Sequence, residues 1–146
     1  MKNILIFIFV ISSLVATQYE VTSNKIVYYG VHALHEWEGS TTKTTGTLSY
    51  DKNKKTYSCN ITVPLNTFSS GNDNRDSNML TYCNAITYPD IIFKSKMIAV
   101  NNESIDLEGI IEFAGKKRNL KTVAHLIELN ENEFSIQGEF EILLSD

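Results

Sequence analysis

The sequence predicts an all-β domain, an antiparallel sheet closed on itself as a barrel with one short helix plugging an end. Three observations carry this expectation. Apolar and polar residues alternate with a period of two in several separate runs, as half-buried strands require. Each run stops at a turn signal, spaced as in antiparallel hairpins. A single stretch, beginning at Asn72, exchanges this period for helical spacing.

Composition sets the frame. The 146 residues are 42% hydrophobic and 21% charged, with two Pro and seven Gly, which fits one globular domain and excludes collagen-like or linker-rich chains. Thirteen Lys and Arg against 17 Asp and Glu give a formal charge of -4, which argues against nucleic acid and acidic lipid surfaces as partners. At the start, Lys2 precedes the apolar run 4–11, then Ser12, Ser13 and Ala16. This reads as a secretory signal peptide over 1–16, with the domain in 17–146. The run falls short of the ~20 apolar residues that span a bilayer, and no Cys follows the cut to carry a lipid. The expected product is periplasmic or secreted, with no stable membrane anchor.

Along the domain, strands are expected at 26–34 and 46–50, the second ending at Asp51-Lys52-Asn53-Lys54. Tyr57, Cys59, Ile61 and Val63 then alternate with Ser58, Asn60 and Thr62. The helix follows: 72–76 offers N-cap residues, and Met79, Leu80, Cys83 and Ile86 share one helical face. Pro89 is expected to stop it and restart an extended strand over 91–100. Ile105, Leu107, Gly109, Ile111 and Phe113 form the next alternating strand, another is expected at 119–127, and Phe134, Ile136, Gly138, Phe140 and Ile142 form the last. Asn101-Asn102-Glu103-Ser104, Gly115-Lys116 and Asn130-Glu131-Asn132 are the turns between them. The sum is seven or eight strands.

Arg75-Asp76-Ser77-Asn78-Met79-Leu80, followed by Tyr88-Pro89-Asp90-Ile91-Ile92-Phe93, resembles the hallmark of the YceI-like lipid-binding family, a basic residue, a polar pair, His-Met-Leu and then Tyr-Pro-x-Ile-x-Phe. The signal peptide, His35-Glu36-Trp37-Glu38-Gly39 leading into Gly46-Thr47-Leu48, and Leu107-Glu108-Gly109 agree with it. The resemblance covers nearly all of the chain after the signal peptide. It implies an elongated lipocalin-like barrel whose apolar interior holds an isoprenoid or other long-chain amphiphilic lipid, with no cofactor and no catalysis. The chain departs from the pattern at Asn78, where the family has His. It departs again at Leu143-Leu144-Ser145-Asp146, where family members continue through a loop and another strand. Three readings of that end stay open: closure with fewer strands, an edge covered by a partner such as a second copy, or a truncated product.

The expected apolar lining is Tyr57, Ile61, Met79, Leu80, Phe93, Phe113, Ile136 and Phe140; the alternative is a filled core in which these side chains touch one another. His35 and Trp37 share a strand face and are expected at a barrel mouth. Arg75 and Asp76 at the helix start are candidates to steer a polar head group such as a phosphate or quinone oxygen, with Asn78 a further candidate contact, against capping and a local Arg75–Asp76 ion pair. His32 and His35 point to opposite faces of a strand, so no metal site is expected of them with Glu36 and Glu38. Cys59 and Cys83 admit a disulfide in an exported chain, or serve as small buried hydrophobes. Lys116-Lys117-Arg118 reads as a solvated hairpin tip. Two rivals to lipid binding are an exported enzyme using His35 as acid and base on a small hydrophobic substrate, and an interaction barrel with a packed core.

Overall fold

The computed structural model describes residues 17–142 other than 33, 52, 102, 131 and 132, so the expected signal peptide and the last four residues lie outside the described residues. The elements are β1 (Thr17–Glu20), β2 (Ile26–His32), β3 (His35–Thr41), β4 (Thr45–Asp51), β5 (Thr56–Pro64), a 3-10 turn (Leu65–Thr67), α1 (Asp73–Tyr82), β6 (Asp90–Asn101), β7 (Ser104–Phe113), β8 (Lys116–Asn130) and β9 (Glu133–Gly138). Seven strands form one antiparallel sheet in the order β1-β4-β5-β6-β7-β8-β9, curled into a half-barrel. The hairpin β2–β3 is a separate two-stranded sheet. It is tied to the turn before α1 by a reciprocal pair of backbone bonds between Ser40 and Ser69, at 2.9 and 3.0 Å, and by the hydroxyls of Thr41 and Thr67, 2.7 Å apart.

Directly opposed residues share a face, so the register identifies the inward set. Leu48 faces Cys59, Ile61 faces Phe93, Phe93 faces Ile111, and Ile105 faces Ala124. Gly109 stands between: a Cβ there would lie 2.7 Å from the Phe93 ring, so its absence lets that ring cross β7. The ladder slips between β5 and β6 near Tyr57 and Asn60. Such a slip leaves a backbone donor without its ladder partner, and the Ser95 hydroxyl accepts the Cys59 N–H at 2.8 Å.

Two apolar clusters result. Leu48, Ile105 and Ala124 form one, with Tyr19, Tyr57, Cys59, Leu107 and Leu126 packed against it. Val63, Leu65, Phe68 and Cys83 form the other, where α1 lays Met79 and Leu80 over the end of the sheet. The expected plug helix is therefore present, and its start follows the expected cap: the Asn72 side chain accepts the Arg75 N–H at 3.0 Å.

Several expectations are corrected. The helix ends at Tyr82, ahead of Pro89, because Asn84 turns into the left-handed region (φ 49°). The Ala85 N–H then bonds the Leu80 carbonyl and the Asn84 N–H the Thr81 carbonyl, a Schellman ending. Ile86, beyond that stop, is fully exposed and shares no face with Met79. Strand β9 ends at Gly138, so Phe140 lies past it and is 51% exposed, which removes it from the strand-borne lining. Cys59 and Cys83 are free thiols, the first against one cluster and the second inside the other. Lys116-Lys117-Arg118 belongs to β8 rather than a turn: Arg118 opposes the buried Ile111, is half-buried, and donates from Nη1 to the Phe113 carbonyl at 3.4 Å.

Candidate functional site

Two features stand out, an apolar concave face and a polar cluster at its helix-covered end. Tyr57, Ile61, Phe93 and Phe113 all occupy inward positions of the curled sheet and are half-buried. Tyr57 stacks at 4.5 Å on Tyr50, its partner across the β4–β5 ladder. Met79 and Leu80 reach the same region from α1. Ile136 opposes Leu126 and so shares the inward face, but on the edge strand it is 38% exposed. The half-barrel thus keeps a row of large apolar side chains that its own packing covers only in part.

The polar cluster is built on the hairpin. In β2 and β3, Tyr28 opposes Gly39 and Gly30 opposes Trp37. Each aromatic lies over the facing glycine: a Cβ on Gly39 would meet the Tyr28 ring at 2.3 Å, and one on Gly30 the Trp37 indole at 2.4 Å. The indole in turn carries the Arg75 guanidinium, 5.2 Å from the ring centroid, a cation–π contact that joins the hairpin to α1. Tyr28 sets its ring edge-on to Phe68 at 5.6 Å, inside the second apolar cluster.

Arg75 and Asp76 do not form the expected local ion pair. Asp76 instead accepts from the Ser70 N–H at 3.0 and 3.2 Å and from the Ser70 hydroxyl at 2.6 Å, closing the loop before the helix. Among the described residues no carboxylate lies within 4.0 Å of the Arg75 guanidinium. The Tyr28 hydroxyl is buried with the Trp37 and Ser70 side chains as its polar neighbours, neither in ideal hydrogen-bonding geometry. Burial raises the Tyr28 phenol above its ordinary range and the Asp76 carboxylate adds to the rise, while Trp37, Arg75 and Ser70 oppose it.

Of the expected mouth residues, the structure brings Trp37 and Arg75 together. His35 is exposed at the far end of the hairpin, and Asn78 is exposed on α1. Tyr29 and Val31, each 74% exposed, line an open cleft with Trp37, Glu36 and Glu38 on the hairpin. Among the described residues no three His, Cys, Asp or Glu side chains converge on a metal-sized site. Tyr28 is the residue that sequence reasoning missed. Its signal is the pair Tyr28-x-Gly30 and Trp37-x-Gly39, two aromatics each set to fall opposite a glycine across a hairpin.

The family model of the YceI-like domain matches residues 16–146. The chain belongs to the YceI-like family. Solved structures share the YceI-like fold. The Burkholderia cenocepacia protein BcnA is 19% identical with a TM-score of 0.69, over 80% of this chain and 74% of that one. A Saccharophagus degradans domain described as polyisoprenoid binding, and implicated in plant cell wall breakdown, is 15% identical with a TM-score of 0.58, over 81% and 69%. The Campylobacter jejuni YceI protein is 15% identical with a TM-score of 0.54, over 86% and 69%. No curated protein matches this YceI-like sequence.

Proposed function

We propose that this YceI-like chain is a binding protein, not an enzyme, that holds the apolar tail of an amphiphilic lipid along the concave face of its sheet. The leading ligand class is isoprenoid, which agrees with the description of the Saccharophagus degradans neighbour. The observation that carries the reading is the row Tyr57, Ile61, Phe93 and Phe113, inward-facing yet only half-buried. A tail laid there removes that surface from water. Each buried methylene contributes ~0.8 kcal/mol, so ten give roughly 8 kcal/mol before the cost of ordering the tail. Trp37 and Arg75 stand where the polar end of such a lipid would emerge. The signal-like start suits a periplasmic or secreted carrier or store.

The test is native mass spectrometry of protein purified from its own envelope, followed by titration of delipidated protein with a fluorescent polyene. Co-purifying lipid and saturable uptake, lost in Phe113→Asp, are the expected results. A lipid-free protein whose polyene response is unchanged by Phe113→Asp would leave the packed interaction barrel as the better reading. Turnover of a small hydrophobic substrate abolished by His35→Ala would establish the enzyme instead.

A further inference from the structure

We infer that the groove is short: it covers a tail of at most about four isoprene units, and Tyr57 is the wall that sets this limit. The inference rests on the tail-binding reading and adds the length of the tail to it. Strand β5 measures the space, because its inward residues run from Val63, buried in the cluster under α1, through Ile61 and Cys59 to Tyr57, which packs on the other cluster. Six residues of strand at ~3.3 Å each separate the two ends, about 20 Å. An extended isoprene unit adds four bonds of about 1.5 Å along the chain, which zigzag to a net length of about 5 Å. Four units fill the span.

A tail that ran on past Tyr57 would meet the first cluster. Leu48 stands on the second strand of the sheet and Ala124 on the sixth, which a flat sheet would hold about 19 Å apart, four spacings of ~4.8 Å. Both belong to one packed cluster with Ile105 of the fifth strand, so at this level the sheet has curled far enough for side chains to fill its concave side. Ile105 and Ala124 are 1% and 0% exposed there, under Tyr19, Leu107 and Leu126. The backbone supplies the cause: the ladder slips between Tyr57 and Asn60 on β5–β6 and again between Ser95 and Met97 on β6–β7, and such bulges bend strands and raise their twist. Nearer the helix, Ile61 and Phe93 stay half-buried. Tyr57 lies at the boundary between the open and the filled stretch, its ring half-buried and backed by Tyr50 at 4.5 Å.

The test is a ladder of isoprenoid alcohols of three, four, five and seven units, which share one head group, titrated into delipidated protein by displacement of a fluorescent polyene. Affinity is expected to rise about tenfold or more from three units to four and then to level off, because a fifth unit finds no apolar wall to lie on. Tyr57→Ala removes the end wall, so the five-unit alcohol should then bind about tenfold tighter than the four-unit one. Tyr57→Phe keeps the ring and should keep the limit. A parental affinity that goes on rising by the same factor at five and seven units overturns the inference, and so does a limit that stays at four units in folded Tyr57→Ala; both leave tail binding intact. Displacement by none of the alcohols overturns the tail reading with it. If near-UV circular dichroism shows that Tyr57→Ala does not fold, Tyr57→Leu takes its place with a gain of a few-fold for the fifth unit, and no gain there overturns the assignment of Tyr57 as the wall.

Discussion

Phe93 and Ile105 separate the groove from the core. Phe93 stands between Ile61 and Ile111, its ring crossing Gly109, and stays half-buried. Ile105 opposes Ala124 and is 1% exposed. Truncating a fully buried Phe costs about 3–5 kcal/mol, so Phe93→Ala, with its ring partly open, should cost about 2 kcal/mol of folding stability. A bound tail would cover the open part of the half-buried ring, on the order of 50 Å², and at ~25 cal/mol per Å² that is about 1 kcal/mol of affinity, or roughly five- to tenfold. Ile105→Ala leaves a cavity with no ligand to line and should cost about 2–5 kcal/mol of stability with unchanged affinity. Urea unfolding gives the first quantity for each variant, and polyene titration at a temperature where both remain folded gives the second. If Phe93→Ala lowers stability and leaves the dissociation constant at the parental value, the ring belongs to a filled interior and the groove assignment fails.

Four further outcomes follow from the described contacts. Asn72→Ala removes the oxygen that accepts the Arg75 N–H and should cost about 1 kcal/mol in urea unfolding. Tyr28→Phe deletes a buried hydroxyl whose polar neighbours are the Trp37 and Ser70 side chains, contacts that fall short of ideal geometry, so stability should change by less than about 1 kcal/mol, read in Tm. Gly30→Val forces the Trp37 indole off β2, and its emission should shift to the red as water reaches the ring. Burial holds the Cys59 and Cys83 thiols above the ordinary value of 9.0, opposed at Cys59 by Ser95. Above that value the unfolded chain gives up thiol protons that the folded chain keeps, so stability should be flat through neutral pH and fall as pH rises past about 9. Replacing both cysteines by alanine should flatten that decline in urea titrations across pH 7–10.

Strand faces were legible because one rule governs them: alternation in 105–113 and 57–63 assigns inside and outside, and the ladder partners agree. The Arg75-to-Phe93 block likewise announced the family. What stayed hidden depends on contacts distant in the chain or on single backbone angles. Strand β1 is four residues with one inward aromatic, Tyr19, too short for a period to show. The helix stop rests on Asn84 entering the left-handed region, a single backbone angle that a nearby Pro89 does not signal. Arg118 looked like a hairpin tip because charge runs usually are; only the pairing with Ile111 reveals that it turns inward. Neither the separation of β2–β3 from the main sheet nor the distinct clusters that hold the two thiols could be read before the strand order was known.

The crossed seating of Tyr28 on Gly39 and Trp37 on Gly30 has a consequence for anyone who redesigns this hairpin. The four positions form two tongue-and-slot joints, and filling a slot without shortening its tongue produces a collision. Libraries that add a side chain at Gly30 or Gly39 alone will therefore return losses, whereas exchanging the members of a joint together, glycine to 28 and tyrosine to 39, preserves the fit. Coupling of this kind lets the hairpin be re-cut for a different guest while the sheet behind it stays as it is.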